Sequence, residues 1–406
     1  MKNKFKLTFA LLVLSICFVF FTGCKKEMVV NSLSLDKNQA VIKVGTTFQL
    51  EATADVENAE DYQIEWTSSD NAIATVDQTG KITALASGNT TITATLGDKT
   101  VSADICIVNA IVESNGNIQN AIDSAQNGDV IYVSNGTYNQ SITINNKNIT
   151  ITGGDETKIC GPEDYNDIGT INAIAEESVN YSAIVSIVDS NVTLKNIAVE
   201  GIPEKTNNVT NLTHTNRYIG IASINSTTIL DKITVSNIKY TESLRGMQNG
   251  FGIYCVATDA NKTITIKNST VLMANKCSLI VRNNLSKATI ADNSFIGNGE
   301  QNIIAENGLQ IACPAEIKNN TIKNYKYNSE NEWAHGSYAI LIQSTGANSV
   351  DITGNTFDNV DNGIYAYTAG SVTGGKTSVE SSNTFTNLYE WQVEEGKAVN
   401  KFEEAI

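Results

Sequence analysis

The sequence predicts an all-β protein in which a two-sheet sandwich precedes a long solenoid of short parallel strands. The first observation is the composition: the 406 residues include only three prolines but many Asn, Thr, Ser, Ile and Val, which suit strands and tight turns. The second is a series of short alternating strands over residues 29–108. The third is a strand-and-turn unit that recurs through residues 109–406. A chain of this length is expected to hold two domains.

The N-terminus has the features of a signal peptide over residues 1–23. Lys2, Lys4 and Lys6 precede an apolar run, Leu7–Phe21, which is too short for a stable membrane span. The junction Phe-Thr-Gly-Cys at residues 21–24 resembles the lipobox of bacterial lipoproteins. The resemblance implies that Cys24 is acylated, that residues 24–28 form a lipidated tether, and that the protein is anchored in the cell envelope. We expect the outer membrane, with exposure at the cell surface. An ordinary secretory signal with a chance cysteine is the alternative.

The charge of the chain excludes some classes of partner. The formal net charge is −15, and removal of residues 1–23, which hold three lysines and no acid, makes it −18. Such a chain repels nucleic acids and anionic membranes, so no nucleic-acid partner is expected. Outside the signal and anchor, five widely spaced cysteines remain without a CxxC pair. This spacing favours buried thiols over a zinc site or a disulfide framework.

Residues 29–108 have the spacing of a β-sandwich, with Trp66 at its centre. The predicted strands are Val30–Leu35, Thr47–Ala52, Tyr62–Trp66, Ala74–Val76, Lys81–Leu85, Thr90–Leu96 and Val101–Val108. The segments Trp66–Asp70, Ala74–Asp77, Gly80–Ala84 and Gly88–Ala94 resemble the bacterial immunoglobulin-like domain, group 2. The resemblance implies a spacer or an adhesive module without chemistry of its own.

Residues 109–406 repeat two units. One is an alternating strand followed by Asn-Ser or Asn-Thr, and the other is Asn-Gly followed by an apolar strand. Because one coil cannot bury its apolar face alone, we expect coils to stack about 4.8 Å apart, with turn asparagines bonded in a ladder. Ile118–Ala125 has helical spacing, and the segment that it opens resembles the N-terminal cap of pectin-lyase-like right-handed parallel β-helices. This resemblance implies the fold and carries no reaction.

Alignment of the coils on their Asn-Gly turns predicts which residues face inward. The inward positions are Phe251, Ile253, Cys255, Leu309, Ile311, Cys313, Ile364 and Ala366. One outward column is then Gly220, Gly252, Ser278, Gln310, Ala339 and Tyr365, and the next is Ala222, Tyr254, Ile280, Ala312, Leu341 and Tyr367. Neither column holds an acid or a base for catalysis. The polygalacturonase and pectate lyase motifs are also missing from the sequence, so no catalytic residue is predicted.

The turns that enter these strands are more polar and predict a glycan-binding edge. In chain order they offer Arg217, Arg245, Lys276, Glu306, His335 and Asp361. Aromatic rings suited to sugar stacking come from the neighbouring loop and the outward columns: Tyr254, Tyr325, Tyr327, Trp333, Tyr365 and Tyr367. The bland alternative is a set of solvated turn residues. No cofactor is predicted, although the acidic loop with Glu163, Asp164 and Asp167 is a weak calcium candidate.

Three functions remain open from the sequence. The β-helix binds glycan or acts as an adhesive surface module, it is a purely structural stalk, or it is a polysaccharide lyase or glycoside hydrolase acting on an acidic polysaccharide. The fold is only a guide by analogy, because sites rather than folds determine activity.

We expect Cys24→Ser to abolish lipidation and to release the protein from membranes, because the thiol is the attachment point that the lipobox implies. The measurement is mass spectrometry of the N-terminal peptide together with membrane fractionation in an expressing bacterium. A Cys24→Ser protein that still fractionates with membranes would contradict the assignment.

Overall fold

A computed structural model describes most of the chain outside the N-terminal segment. The described residues are 27–59, 61–161, 170–171, 180–201, 216–239, 250–283, 285–299, 305–327, 337–343, 349–367, 371–388 and 402–404. Strands make up 60% and helices 5% of the structure, so the all-β prediction is confirmed. Within these residues no helix is both long and apolar enough to cross a bilayer.

Nine strands form the sandwich. They are β1 (Val29–Leu35), β2 (Gln39–Lys43), β3 (Thr47–Gln49), β4 (Ala52–Glu57), β5 (Glu65–Ser68), β6 (Ala74–Val76), β7 (Lys81–Ala84), β8 (Gly88–Leu96) and β9 (Lys99–Val108). They pair as β2-β9-β8-β5, β3-β7-β6 and β1-β4. Trp66 is 5% exposed and lies in the core between the sheets, as predicted.

Several details of the sandwich differ from the prediction. The strand expected over Thr47–Ala52 ends at Gln49 as β3, because the amide of buried Leu50 turns to bond the carbonyl of Gly80, and β4 beyond it was missed. The strand expected over Tyr62–Trp66 is displaced to Glu65–Ser68 as β5. The prediction also missed β2, which pairs in parallel with β9. Its exposure does not alternate regularly, since Ala40 and Val41 are both half-buried, and so it lacks the period-2 signal.

The sandwich joins the solenoid without a spacer. One residue, Asn109, separates β9 from β10 (Ala110–Val112), the first strand of the solenoid. The amide of Asn109 donates to the carbonyl of Val130, and its side-chain oxygen accepts from the amide of Val130. The helix α1 (Ile118–Ser124) follows and buries Ile118 and Ile122 against the first coils, as predicted.

The remaining strands wind into stacked coils with three parallel sheets. Sheet A contains β13 (Ile142–Asn145), β17 (Asn180–Val188), β19 (Asn216–Ile224), β21 (Phe251–Ala257), β24 (Cys277–Asn283), β27 (Asn307–Ile311), β30 (Tyr338–Ile342), β33 (Asn362–Ala366) and β35 (Phe402–Glu404). A short strand, β16 (Thr170–Ile171), pairs antiparallel with β17.

The other two sheets join where long strands bend. Sheet B contains β11 (Val130–Val133), β14 (Asn148–Gly153), the first halves of β18 (Asn191–Glu200) and β20 (Thr227–Ser236), β22 (Thr263–Lys267), β25 (Lys287–Ala291), β28 (Ala315–Lys318) and β31 (Val350–Thr353). Sheet C contains β12 (Gly136–Asn139), β15 (Thr157–Cys160), the second halves of β18 and β20, β23 (Thr270–Leu272), β26 (Ser294–Ile296), β29 (Thr321–Lys323), β32 (Thr356–Val360) and β34 (Thr384–Leu388). In the last coil a helix, α2 (Gly375–Ser382), packs against β31.

An asparagine ladder runs through the turn between sheets B and C, as predicted. Its members are Asn293, Asn320, Asn355 and Asn383. Each side-chain oxygen accepts the amide N–H of the preceding coil's member, as Asn355 does from Asn320 at 2.8 Å. Each side-chain NH₂ also donates to a strand carbonyl, such as that of Ile290 from Asn320. The ladder therefore satisfies buried turn groups that no sheet reaches.

The residue before this ladder adopts a left-handed conformation in successive coils. Its φ is 52° at Asn268, 59° at Asp292 and 55° at Asn319. Asn and Asp tolerate this region better than most residues, and here they also bond between coils, since Asn319 donates to Asp292 at 3.2 Å. In most of the recurring Asn-Ser and Asn-Thr pairs of the sequence, the Asn is thus the inner residue of this turn and the Ser or Thr begins the next strand of sheet C, as in Asn293-Ser294 and Asn320-Thr321.

The register of sheet A differs by two residues from the predicted alignment. Leu309 was aligned with Phe251, but it pairs with Leu279, which pairs with Ile253. A two-residue shift keeps each side chain on its face, so the inward prediction survives for every residue except Phe251. The Asn-Gly pairs at 307–308 and 362–363 do mark equivalent positions, but Phe251, which follows the remaining pair, aligns with Asn307 instead of Leu309.

The first predicted outward column is wrong for four of its members, because sheet A bends where they lie. Gly220, Gly252, Ser278 and Ala339 precede the regular pairing and face the core. A Cβ atom on Gly252 would lie 2.5 Å from a methyl group of Val271 in sheet C. The column holds small residues because the sheets approach closely there.

The remaining members of that predicted column belong elsewhere. Gln310 and Tyr365 lie with Tyr254 and Ile280 in a column that does face outward.

We expect Asn320→Ala to lower the free energy of unfolding by more than about 2 kcal/mol, because the lost side chain leaves buried donors on Asn293 and the carbonyl of Ile290 without their partners. The measurement is the urea midpoint followed by circular dichroism. Asn261→Ala, at an exposed turn, is the matched control and should change stability by less than about 0.5 kcal/mol. Equal midpoints for the two variants would show that the ladder contributes nothing.

Candidate functional site

The outward face of sheet A changes character along the solenoid. In the early coils it carries a second apolar cluster, separate from the core, whose members are buried: Ala183, Ile219, Ala222, Ile224, Phe251, Tyr254, Val256, Cys277 and Ile280. In the late coils the same columns carry Gln310, Leu341, Tyr365 and Tyr367. Among the described side chains of this face, the aromatic rings that meet solvent therefore lie in the late coils.

Three tyrosines form a cluster on these late coils. The ring of Tyr365 lies 5.6 Å from that of Tyr338 and 4.9 Å from that of Tyr367, measured between centroids. Tyr367 is 54% exposed, and the other two are half-buried. Gln343 precedes Tyr367 by one coil in the same column, so an amide lies beside the exposed ring. We call Tyr338, Tyr365, Tyr367 and Gln343 the tyrosine platform.

Parallel stacking explains why the platform assembles. Tyr365 pairs with Leu341, and Tyr338 pairs with Asn362, so all three rings come from two neighbouring strands, β30 and β33, and the turn after β33. Their rings pack at 53° and 82°, the edge-to-face range that aromatic pairs favour. Tyr365 and Tyr367 were predicted from the sequence, but Tyr338 was not. By strand alternation its position shares the face of the inward Ile340 and Ile342, and only the bend of sheet A turns it outward, in the column of Phe251 and Cys277.

The predicted glycan-binding edge is a buried polar cluster in its described part. Glu306 is fully buried, and its side chain accepts from the amide of Asn298 at 2.9 Å. Burial raises the pKa of Glu306 to about 8, against the lowering effect of the bonds to Asn298 and the charge of Lys276. Burial also lowers the pKa of Lys276, whose ammonium donates to the carbonyl of Ala305 at 2.7 Å.

Asp361 has the same structural position two coils further along, with Ser337 at the equivalent position between them. Its carboxylate accepts from the amides of Tyr327 at 2.7 Å and Ser337 at 3.0 Å. Burial raises its pKa, while these two bonds and Lys326 lower it. Glu306 and Asp361 therefore hold the turns that enter β27 and β33, and neither carboxyl is presented to solvent.

Several predicted ring faces are likewise inside the protein. Tyr254, Tyr325 and Tyr327 are 1%, 0% and 6% exposed, so they offer no face to a sugar. The hydroxyl of Tyr325 lies 2.6 Å from that of Ser278, and burial raises the pKa of this phenol well above its usual range. Tyrosine in a turn next to sheet A was expected at the surface, but the small residues of the bend leave room for the ring beneath it.

The other predicted site residues lie outside what the structure describes. These are Cys24, Glu163, Asp164, Asp167, Arg245, Trp333 and His335, together with the side chain of Arg217. One charged residue missed by the prediction, Arg282, is half-buried in the outward column next to Tyr254, opposite Val256. Within the described residues, no three His, Cys, Asp or Glu side chains converge as metal ligands do.

Comparison with known proteins identifies the first domain. Residues 29–108 match the model of the bacterial Ig-like domain (group 2). An uncharacterised protein of Clostridium acetobutylicum is 41% identical over 78 residues, which are 19% of this chain and 20% of that protein. A 3-O-alpha-D-galactosyl-alpha-L-arabinofuranosidase of Bifidobacterium longum subsp. longum is 42% identical over 57 residues, 14% of this chain and 5% of that enzyme. The chain thus spans a fifth or less of these relatives.

Solved structures of other proteins align with the chain at low identity. A pectin methylesterase from Erwinia chrysanthemi is 12% identical over 74% of this chain and 93% of its own, with a TM-score of 0.36. That protein is a right-handed parallel β-helix, and the likeness concerns the fold alone. The chain is a group 2 bacterial immunoglobulin-like domain followed by a right-handed parallel β-helix.

The buried carboxyl of Glu306 predicts a pH dependence of stability. The pKa of Glu306 is about 8 in the folded protein, whereas its ordinary pKa is 4.5. Between these two pH values the folded state therefore binds more protons than the unfolded state. Stability from this group is therefore fully present below pH 4.5 and declines as the pH rises to about 8, by at most about 1.4 kcal/mol per pH unit.

The test compares Glu306→Gln with wild type by urea unfolding at pH 5, 6, 7 and 8. Because Gln cannot ionise, the variant should gain stability relative to wild type as the pH rises. Glu316→Gln, whose carboxylate is 38% exposed, is the control for loss of a surface acid. If the free energy of unfolding differs between wild type and Glu306→Gln by the same amount at every pH, Glu306 ionises normally and the prediction is wrong.

Proposed function

We propose that this protein is a cell-envelope lipoprotein whose β-helix binds glycan at the tyrosine platform. The observation that carries the proposal is the cluster of Tyr338, Tyr365 and Tyr367 with an exposed ring at its edge. Aromatic rings present an apolar face together with a polar tip, which matches the mixed surface of a sugar ring. Tyr367 is the exposed anchor, and Tyr365 holds its orientation from beneath.

The neighbouring polar groups support the same function. Gln343 lies one coil before Tyr367 in the same column, so a side-chain amide neighbours the exposed ring. A side-chain amide both donates and accepts, as recognition of sugar hydroxyls requires. Arg282, half-buried in the outward column next to Tyr254, adds a cation to this face of sheet A.

Anchoring and ligand charge belong to the same proposal. Lipid on Cys24 would tether the immunoglobulin-like spacer and display the β-helix beyond it, on the outer membrane and at the cell surface. We propose acidic glycans as ligands through Arg217, Arg245 and Trp333. Lys276 was also predicted for this role, but its ammonium already donates to the carbonyl of Ala305 and is therefore less available to a ligand.

Catalysis on an acidic polysaccharide is the second candidate. Glu306 favours it, because a carboxyl that stays protonated near neutral pH has the property of a general acid. The full burial of Glu306 opposes it, since a general acid has to reach its substrate. Incubation with polysaccharides, assayed for unsaturated and for reducing ends, separates the two functions: new ends that disappear in Glu306→Gln would establish the enzyme.

We expect Tyr367→Ala to weaken glycan binding by about 1–2 kcal/mol, the scale of an aromatic anchor at an interface. Isothermal titration with galacturonate oligomers and with neutral oligosaccharides measures the change. Tyr62→Ala, which removes a 46% exposed tyrosine from the sandwich, is the matched control and should bind as wild type does. If wild type binds and Tyr367→Ala binds equally well, the glycan site lies elsewhere on the protein.

A further inference from the structure

A cleft of about 770 Å³ separates the sandwich from the first coils of the β-helix. Its volume falls in the range of roughly 300–1,000 Å³ that small-ligand sites occupy. Six residues define its chemistry: Gln39, Asn89 and Asp104 on the sandwich, and Tyr132, Asp155 and Asn196 on the β-helix. We call it the junction cleft. It lies at the opposite end of the β-helix from the tyrosine platform.

One wall is the outer face of a sandwich sheet. Asp104 and Cys106 project from β9, between Gln39 and Val41 of β2 on one side and Thr91 and Asn89 of β8 on the other. The register therefore places Gln39, Asp104 and Thr91 side by side in one row, and Val41, Cys106 and Asn89 in a second row. Thr91 donates to Asp104 at 3.0 Å, which fixes the carboxylate, and a carboxylate keeps further acceptor capacity.

The other wall is built by turns of the first coils. Asn196 donates to the carboxylate of Asp155 and to the carbonyl of Gly153, both at 3.1 Å. The phenol of Tyr132 lies against Gly154, where even a Cβ atom would stand 2.9 Å from the hydroxyl oxygen. Burial raises the pKa of Tyr132, and Asp155 from this wall and Cys106 from the other raise it further.

We propose that the junction cleft binds a short neutral oligosaccharide. Its walls combine carboxylates and side-chain amides, which pair with vicinal hydroxyl groups, and one tyrosine ring, which can pack against a sugar face. None of the residues that line this cleft is Lys, Arg or His, and Asp104 and Asp155 repel anions. Lys195 lies near Cys106, but its ammonium is 3.9 Å from Asp231, outside the cleft. An acidic glycan or a phosphate is therefore disfavoured here.

The junction makes the site preorganised. Strand β9 of the sandwich continues through Asn109 into β10 of the β-helix, and Asn109 makes two hydrogen bonds to Val130. Backbone hydrogen bonding therefore connects the two walls directly. A ligand that bridges the walls then loses little free energy in ordering them. This proposal goes beyond the platform, because it assigns a second site with a different ligand charge.

The test is isothermal titration of the full chain and its variants with cellotetraose, xylotetraose and galactotetraose, and with tetragalacturonate as the charged comparator. At least one neutral tetrasaccharide should bind, and tetragalacturonate should bind this site at least about tenfold more weakly. Tyr132→Ala removes the ring and Asn89→Trp fills the cleft from an exposed position. Each should weaken neutral binding about tenfold or more, the effect of an interface anchor. Tyr62→Ala, which changes an exposed tyrosine of the sandwich outside the cleft, should leave it unchanged.

Three outcomes would overturn the assignment. The first is failure of every neutral tetrasaccharide to bind. The second is neutral binding that both cleft variants retain but Tyr367→Ala abolishes. This result would assign the binding to the tyrosine platform and contradict a site in the junction cleft. The third is tetragalacturonate binding of equal strength that Asn89→Trp also blocks. Because Asn89 is exposed, the Trp variant keeps the test valid if Tyr132→Ala unfolds, and thermal melting monitors both.

Discussion

The in-register stacking of coils governs the rest of this structure. Parallel strands satisfy their own backbone groups, but each coil must also turn three times, and the inner side of the turn between sheets B and C is buried. A buried amide without a partner costs about as much as the net stability gained from several good contacts. The ladder of Asn293, Asn320, Asn355 and Asn383 removes that cost by bonding each turn to the next coil. The fold is thus fixed as much by polar turns as by its apolar core.

The same stacking explains what could be predicted from sequence. Alternation and turn residues repeat in every coil, so the solenoid, its capping helix, the asparagine ladder and the sandwich core at Trp66 follow from local pattern. Register does not, because it depends on how many residues each preceding turn contains. Gly252 and Ser278, which were predicted to face outward, show this. They face inward because sheets A and C approach closely there, and this tertiary distance produces no periodic signal in the sequence.

The outward direction of Tyr365 and Tyr367 was predicted correctly because it follows from strand alternation, whereas side chains in turns that fold inward were predicted wrongly. Tyr365 and Tyr367 were recognised because outward positions on a strand are set by parity, and the tyrosine platform is built on them. Glu306, Tyr325 and Asp361 were expected to meet solvent because turns usually do, but here they bond backbone amides and a hydroxyl beneath the surface. The junction cleft escaped detection because its two walls come from different domains, and no spacing within either one encodes it.

The helix α2 has a consequence for how these molecules behave at high concentration. A stack of parallel strands ends in a row of unpaired backbone groups that would accept an identical stack. Helix α2 occupies the sheet B position of the last coil and packs on β31, while α1 packs against β10 and β13 at the opposite end. In these two coils a helix, whose backbone groups are already satisfied, therefore replaces part of an adhesive strand edge. A helix at that position disfavours pairing between the strand edges of two molecules when they are concentrated.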